Sequence, residues 1–236
     1  MNFHIVTIFP DIFDSYLNES ILGRAIKNKH ISVKFYNPRD FIKAPKNNYR
    51  PVDDKPYGGG PGMVMRAEPI LKTIEIVLRK INNYQLRIKN KKNKVLIINF
   101  IPSTEKFTTS LAKSFSKKYT DIILICGRYE GIDARVDKIL KTKKLSIGDY
   151  VLTGGELPAM ILIDCVARQI PGVLGKYESL EEERISSSEV YTRPEILKYP
   201  FKKNSNKKIK NYKVPKVLLS GNHKKIDEWK QKIDKI

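Results

Sequence analysis

An α/β fold with a mostly parallel sheet is predicted by this sequence, on two features of its first half. Short apolar runs alternate with amphipathic stretches as far as Cys126, the order that builds βα units. The run "KVLIINFI" (94–101) is apolar without alternation, as expected of a strand buried on both faces.

The elements follow in order. "FHIVTIF" (3–9) reads as a buried strand, and "SILGRAIKNK" (20–29) as a helix capped by Ser20. "ISVKFY" (31–36) alternates as a strand does, whereas the prolines and glycines of 49–63 break both periodicities and predict a loop. Pro69 opens the first turn of a helix over 68–81, with Ile70, Leu71, Ile74, Val77, Leu78 and Ile81 on one stripe. A helix around 108–118 and the strand "DIILIC" (121–126) repeat the pattern. "ELPAMILIDCVARQI" (156–170) is apolar nearly all round and predicts a helix buried in the core or against a second subunit. Its exceptions, Asp164 and Arg168, stand at i,i+4 with the acid first. That spacing fits a helix salt bridge, and equally an arginine kept for a ligand. Residues 176–196 are polar, rich in Ser and Glu, and read as a linker. The remainder holds one helical pattern, "HKKIDEWKQKIDKI", and reads as a small, mainly helical subdomain. The expected organisation is therefore a main domain over 1–175, a linker over 176–190 and a C-terminal subdomain over 191–236.

Charge and composition narrow the function. The 236 residues carry 45 Lys and Arg against 25 Asp and Glu, a net +20, which favours a polyanionic partner such as nucleic acid. Lysine supplies 34 of the 45, so compositional drift in an AT-rich genome and solvated surface are the competing, less favoured explanation of the excess. The basic residues nevertheless cluster. "RKINNYQLRIKNKKNK" (79–94) and "KYPFKKNSNKKIKNYK" (198–213) each carry seven of them, no acid, and aromatics able to stack on unpaired bases. No run reaches the roughly 18 apolar residues of a membrane helix, and "MNFHIVTIFPDIFD" lacks the basic start of a signal peptide. Cys126 and Cys165 each lie in an apolar run and read as reduced thiols. A cytoplasmic protein without a membrane partner is the expectation.

Three glycine-bearing segments concentrate the chemistry. "DDKPYGGGPGM" (53–63) lets backbone approach a ligand, or is simply a tight surface loop. "CGRYEGID" (126–133) and "SIGDYVLTGGELPAM" (146–160) follow strands at the ends where open α/β sheets bind ligands. Neither fits GxGxxG or GxxxxGK[ST], which disfavours dinucleotide and P-loop phosphate binding. The histidines His4, His30 and His223 lie outside these loops, so carboxylates and arginines must carry any chemistry.

Taken in order, "DDKPYGGGPGM", "CGRYEGID", "SIGDYVLTGGELPAM", "IPGVLG", "YTRPE" and "VLLSGNH" resemble the bacterial tRNA (guanine-N1)-methyltransferases of the SPOUT class, from residue 1 to about 229. The resemblance implies a deep trefoil knot at the C-terminal side of the α/β domain, an exception to unthreaded connections. It further implies an obligate homodimer, S-adenosylmethionine as methyl donor, Mg²⁺, and tRNA methylated on guanine 37 after a guanosine at 36. Carried over by residue, the donor would meet Gly127, Ile147, Gly148, Asp149, Tyr150, Val151 and Leu152, with Gly154, Gly155 and Pro158 shaping the same wall. Arg168 would stabilise charge developing on guanine O6. Glu130 would lie near the metal and the guanine, and Asp53 and Gly62 in the guanine-contacting loop.

Two departures from the family pattern stand out. The family's general base is an aspartate eight residues after the "VLG" glycine; counting from Gly175 reaches Glu183, in the run Glu181-Glu182-Glu183. Glutamate keeps the carboxylate and adds a methylene; a slipped register would use Glu182 or Glu181, and weakened activity or a solvated linker are the other readings. Relatives also continue past the "SGNH" segment, where a weaker grip on tRNA is the expectation, with the lysine clusters supplying phosphate contacts in its place. Two rival functions are a knotted enzyme acting on a ribose 2′-hydroxyl and an RNA-binding module without turnover.

Overall fold

The computed structural model describes residues 1–42, 50–87, 94–174, 189–200 and 209–233. The chain divides into two compact units, Met1–Gly175 and Lys176–Ile236.

In the first unit the elements run β1 (Asn2–Val6), α1 (Asp14–Leu17), α2 (Ser20–Lys27), β2 (Ser32–Tyr36), β3 (Asp53–Asp54), β4 (Val64–Met65) and α3 (Ala67–Arg87). After them come β5 (Val95–Phe100), α4 (Thr109–Lys118), β6 (Asp121–Ile125), α5 (Arg135–Leu140), β7 (Lys143–Leu145) and α6 (Glu156–Ala167). Five strands form one sheet in the order β2-β1-β6-β5-β7, and every neighbouring pair is parallel. β5 is flanked by β6 and β7, which accounts for its unbroken apolar run.

Side chains alternate across the strands and feed two cores. Phe3 and Ile5 of β1 join Ile122 and Leu124 of β6 in a cluster with Leu22 of α2, Phe115 of α4 and Leu162 of α6. Val6, Ile123 and Ile125 face the other way, against Ile70, Ile74 and Val77 of α3 and Val136 of α5. The stripe read from 68–81 is thus the buried face of α3, although the helix continues to Arg87.

Local signals hold in places and fail in others. Thr108 caps α4, accepting from the amide of Leu111 at 3.3 Å. Ser20 does not cap α2: Glu19 precedes the first turn without a side-chain cap bond, and Ser20 itself sits at φ 51. The short strand β7 and the one-turn α1 carry no periodicity long enough to read.

In the second unit β8 (Ile196–Pro200) and β9 (Ile209–Lys213) pair antiparallel, with Ile196 opposite Lys213. They are followed by α7 (His223–Ile233), whose Trp229 lies with its ring centre 6.3 Å from that of Tyr191. The hairpin adds two strands that the expectation of a mainly helical subdomain did not include. Its strands are rich in Lys, Tyr and Asn rather than in an apolar face, so alternation did not reveal them.

Candidate active site

The carboxyl ends of β5, β6 and β7 open onto a cavity of about 440 Å³, within the size range of small-molecule sites. Three chain segments wall it, and backbone bonds lock them together. Ile101 donates to Leu145 O at 3.0 Å, Phe107 to Ser146 O at 2.7 Å and Gly155 to Gly127 O at 2.8 Å. The loop after β6 and the start of α6 therefore run side by side, which only residues without side chains permit. A Cβ on Gly155 would lie 2.7 Å from Cys126 Cα and 2.9 Å from the Gly127 nitrogen.

Most of the expected donor-binding residues meet here. Gly127, Ile147, Tyr150, Val151, Leu152, Gly154, Gly155 and Pro158 line the cavity. Gly148 and Asp149 belong to the same loop but not to the lining; Asp149 pairs with Lys106 at 2.5 Å instead. Residues 99–102, whose sequence departs from the relatives' pattern, also line it.

The glycine loop docks beside this cavity through β4. Met65 donates to Gly131 O and accepts from the amide of Asp133, both at 2.9 Å, and Glu130 donates to Met63 O at 3.0 Å. Gly62, at φ 88, lies so close to Glu130 that a Cβ would fall 2.8 Å from its Oε1. Glu130 lines the cavity, so Gly62 stands at its rim. Asp53 sits at the base of the loop, opposite Met65 in the β3–β4 pair, and outside the lining.

Arg168 is placed elsewhere. It follows the last turn of α6, 13 residues beyond Gly155, which at 1.5 Å per residue puts it about 20 Å along the helix axis. Its expected partner Asp164 accepts a hydrogen bond from Tyr16, and that bond pushes the Tyr16 phenol up to about 12. Glu183, with Glu181 and Glu182, lies outside the described residues.

Two charged groups were missed from sequence, one behind the cavity wall and reaching it through Arg128, the other on the wall itself. Glu156, 2% exposed in its side chain, stands 2.9 Å from Arg128 Nε and accepts from the Thr7 hydroxyl at 2.9 Å. The contact with Arg128 is an ion pair too poorly aligned to be a hydrogen bond, and the guanidinium also lies over the Phe9 ring at 4.8 Å. The second group is Asn99, Asp137 and Lys144. An acid opening an otherwise apolar helix was the available signal for Glu156; for Asp137 there was none, because Asn99, 38 positions away, brings it to the cavity and no local period links the two. Beneath the wall, burial and the charge of Glu156 push the Cys126 thiol well above its usual range, against the pull of Arg128.

No helix among the described residues is long and apolar enough to cross a membrane. No three His, Cys, Asp or Glu side chains among them gather where they could hold a metal ion. Comparison with known proteins places this architecture. The family model of tRNA (guanine-1)-methyltransferase TrmD matches residues 1–235. A tRNA (guanine-N(1)-)-methyltransferase of Clostridioides difficile is 47% identical over 233 residues, covering 98% of this chain and 91% of the relative. The enzyme of the same name from Carboxydothermus hydrogenoformans is 43% identical, covering 98% and 82%. The crystal structure of tRNA (m1G37) methyltransferase from Aquifex aeolicus matches with a TM-score of 0.71 at 38% identity, over 100% of this chain and 90% of that one. With the family model spanning nearly its whole length, the chain belongs to the tRNA (guanine-1)-methyltransferase family.

Proposed function

We propose that this protein transfers a methyl group from S-adenosylmethionine to N1 of guanine 37 in tRNAs that carry a guanosine at position 36. The observation that carries the reading is the cavity at the strand ends, with Gly127 and Gly155 baring backbone on its wall in a chain of this family. The apolar surfaces of Ile147, Leu152 and Pro158 suit an adenosyl group, and the backbone polar groups of the wall suit its polar edge. When bound, the donor supplies an electrophilic methyl group.

The chain's own residues supply the rest. Guanine N1 carries a proton, and Glu183 takes it as general base when N1 attacks. Charge then develops toward O6, where the Arg168 guanidinium stabilises it. Because Arg168 lies about 20 Å from Gly155 along α6, it serves the donor cavity of a second copy, and the working unit is a homodimer with composite sites. In the same reading the α/β domain is knotted, 176–190 is the linker that brings the base, 191–236 contacts tRNA, and the protein works in the cytoplasm. Mg²⁺ enters through one or two carboxylates and substrate oxygens rather than a protein cage. Glu130 at the cavity rim is the carboxylate that would hold it beside the guanine, and no step above depends on the ion.

Incubation with labelled S-adenosylmethionine and unmodified tRNA bearing G36-G37, followed by mapping of the product, tests this. 1-Methylguanosine at position 37 is expected. A 2′-O-methyl product, or binding without transfer, would replace the reading with one of its rivals. Glu183→Gln is expected to lower the rate by 10² or more, and full activity in that variant would remove Glu183 from its role.

A further inference from the structure

On the cavity lining, a carboxylate is held in place with one oxygen unspent. Asp137 Oδ1 accepts from Asn99 Nδ2 at 3.0 Å and from the Thr142 hydroxyl at 2.5 Å. Lys144 Nζ stands 3.6 Å from Oδ2, beyond hydrogen-bond length. Oδ2 therefore accepts no hydrogen bond from the described residues. The Asp137 side chain keeps 10% exposure, Asn99 is 4% exposed, and Asn99, Asp137 and Lys144 all line the cavity. A carboxylate whose orientation is already fixed, facing a cavity with a free lone pair, is prepared for a donor on the ligand.

We infer that Asp137 recognises the adenosyl part of the methyl donor, accepting a hydrogen bond from a ribose hydroxyl or from the exocyclic amine. The inference rests on the donor reading given above. In that reading the guanine arrives at Glu130 and Gly62, which pack against each other, and the sulfonium lies toward them. Asn99, Asp137 and Lys144 are the polar side chains of the lining assigned to the adenosyl end. Arg128 and Glu130, a cation and an anion within three residues, are left to suit the amino-acid end. Lys144 keeps the Asp137 charge compensated without occupying Oδ2. A purely structural role, tying α5 to β5 and β7, would make Asp137 indifferent to which donors the ligand carries.

Calorimetric titration of the full chain with three ligands separates the two. The probes are 5′-methylthioadenosine, which has no amino-acid part, its 2′,3′-dideoxy form, and its purine analogue without the 6-amino group. Asp137→Asn is expected to weaken 5′-methylthioadenosine about tenfold. It should weaken one of the truncated analogues less than twofold, because that ligand cannot make the bond in either protein; which analogue it is tells hydroxyl from amine. Asp137→Glu, which keeps the charge, is expected to lose less and to preserve the ranking. Equal weakening of all three ligands by Asp137→Asn, or no weakening of the parent, overturns the assignment. If wild type binds S-adenosylmethionine in either of those cases, the donor reading survives. A wild-type chain that binds neither S-adenosylmethionine nor 5′-methylthioadenosine overturns the donor reading, and this inference with it.

Discussion

Gly155 donates its amide to Gly127 O at 2.8 Å, and its Cα faces backbone rather than a side chain that could turn aside. A methyl group there would meet Cys126 Cα at 2.7 Å, so the α6 start and the loop after β6 would have to part. Gly155→Ala is expected to cost about 2 kcal/mol in chemical denaturation and to weaken S-adenosylmethionine binding in the same protein. Wild-type stability together with wild-type affinity would show that the wall can relax. The glycine was legible in sequence as a place where backbone comes close; what it comes close to was not. Gly62 is similar, since its neighbour Glu130 lies 68 positions on, and no local spacing links the two.

At the scale of elements, α6 combines a buried body with a charged first turn. Its residues Ala159, Leu162, Ile163 and Val166 are buried, as an all-round apolar pattern predicts. Glu156 is buried with them, compensated by Arg128 and by the Thr7 hydroxyl. Removing its charge leaves a guanidinium 20% exposed without a counterion. Glu156→Gln should therefore destabilise the protein by about 3 kcal/mol, measured as a lower denaturation midpoint at unchanged m-value. An unaltered midpoint would mean that solvent already compensates Arg128. Helices of eight residues or more and buried strands of five or six were readable because burial imposes a period on them. β7, with three residues, and the β8–β9 hairpin, without a clear apolar alternation, escaped for want of that period.

For the whole molecule, the net charge of +20 becomes a statement about affinity for tRNA. The clusters at 79–94 and 198–213 lie partly outside the described residues, but α3 carries the first of them as far as Arg87. If they bind phosphates, neutralising both clusters should flatten the dependence of log K on log salt, by roughly 0.7–0.9 for each phosphate no longer neutralised. Binding measured between low and moderate salt checks this, and an unchanged slope would assign the lysines to solvated surface. Lys80 shows why the sign of charge alone is insufficient: its ammonium lies 5.1 Å from the centre of the Tyr36 ring, engaged within the fold.

The sequence by itself determined the α/β class, the succession of its longer elements and the loops that meet at the strand ends. These depend on periodicity and on Gly and Pro, which act within a few residues. Its motifs also pointed to the family that the comparisons show. Only the tertiary structure decided which polar groups meet at and behind the cavity wall. Thr7, Arg128 and Glu156 come from three separate segments, and Asn99 reaches Asp137 and Lys144 from another strand. Their pairing is a property of the parallel sheet, which carries distant strand ends to one edge. It was the fold as well that set Arg168 about 20 Å along α6 from the cavity wall, because a helix separates residues along its axis even where they belong to one sequence motif.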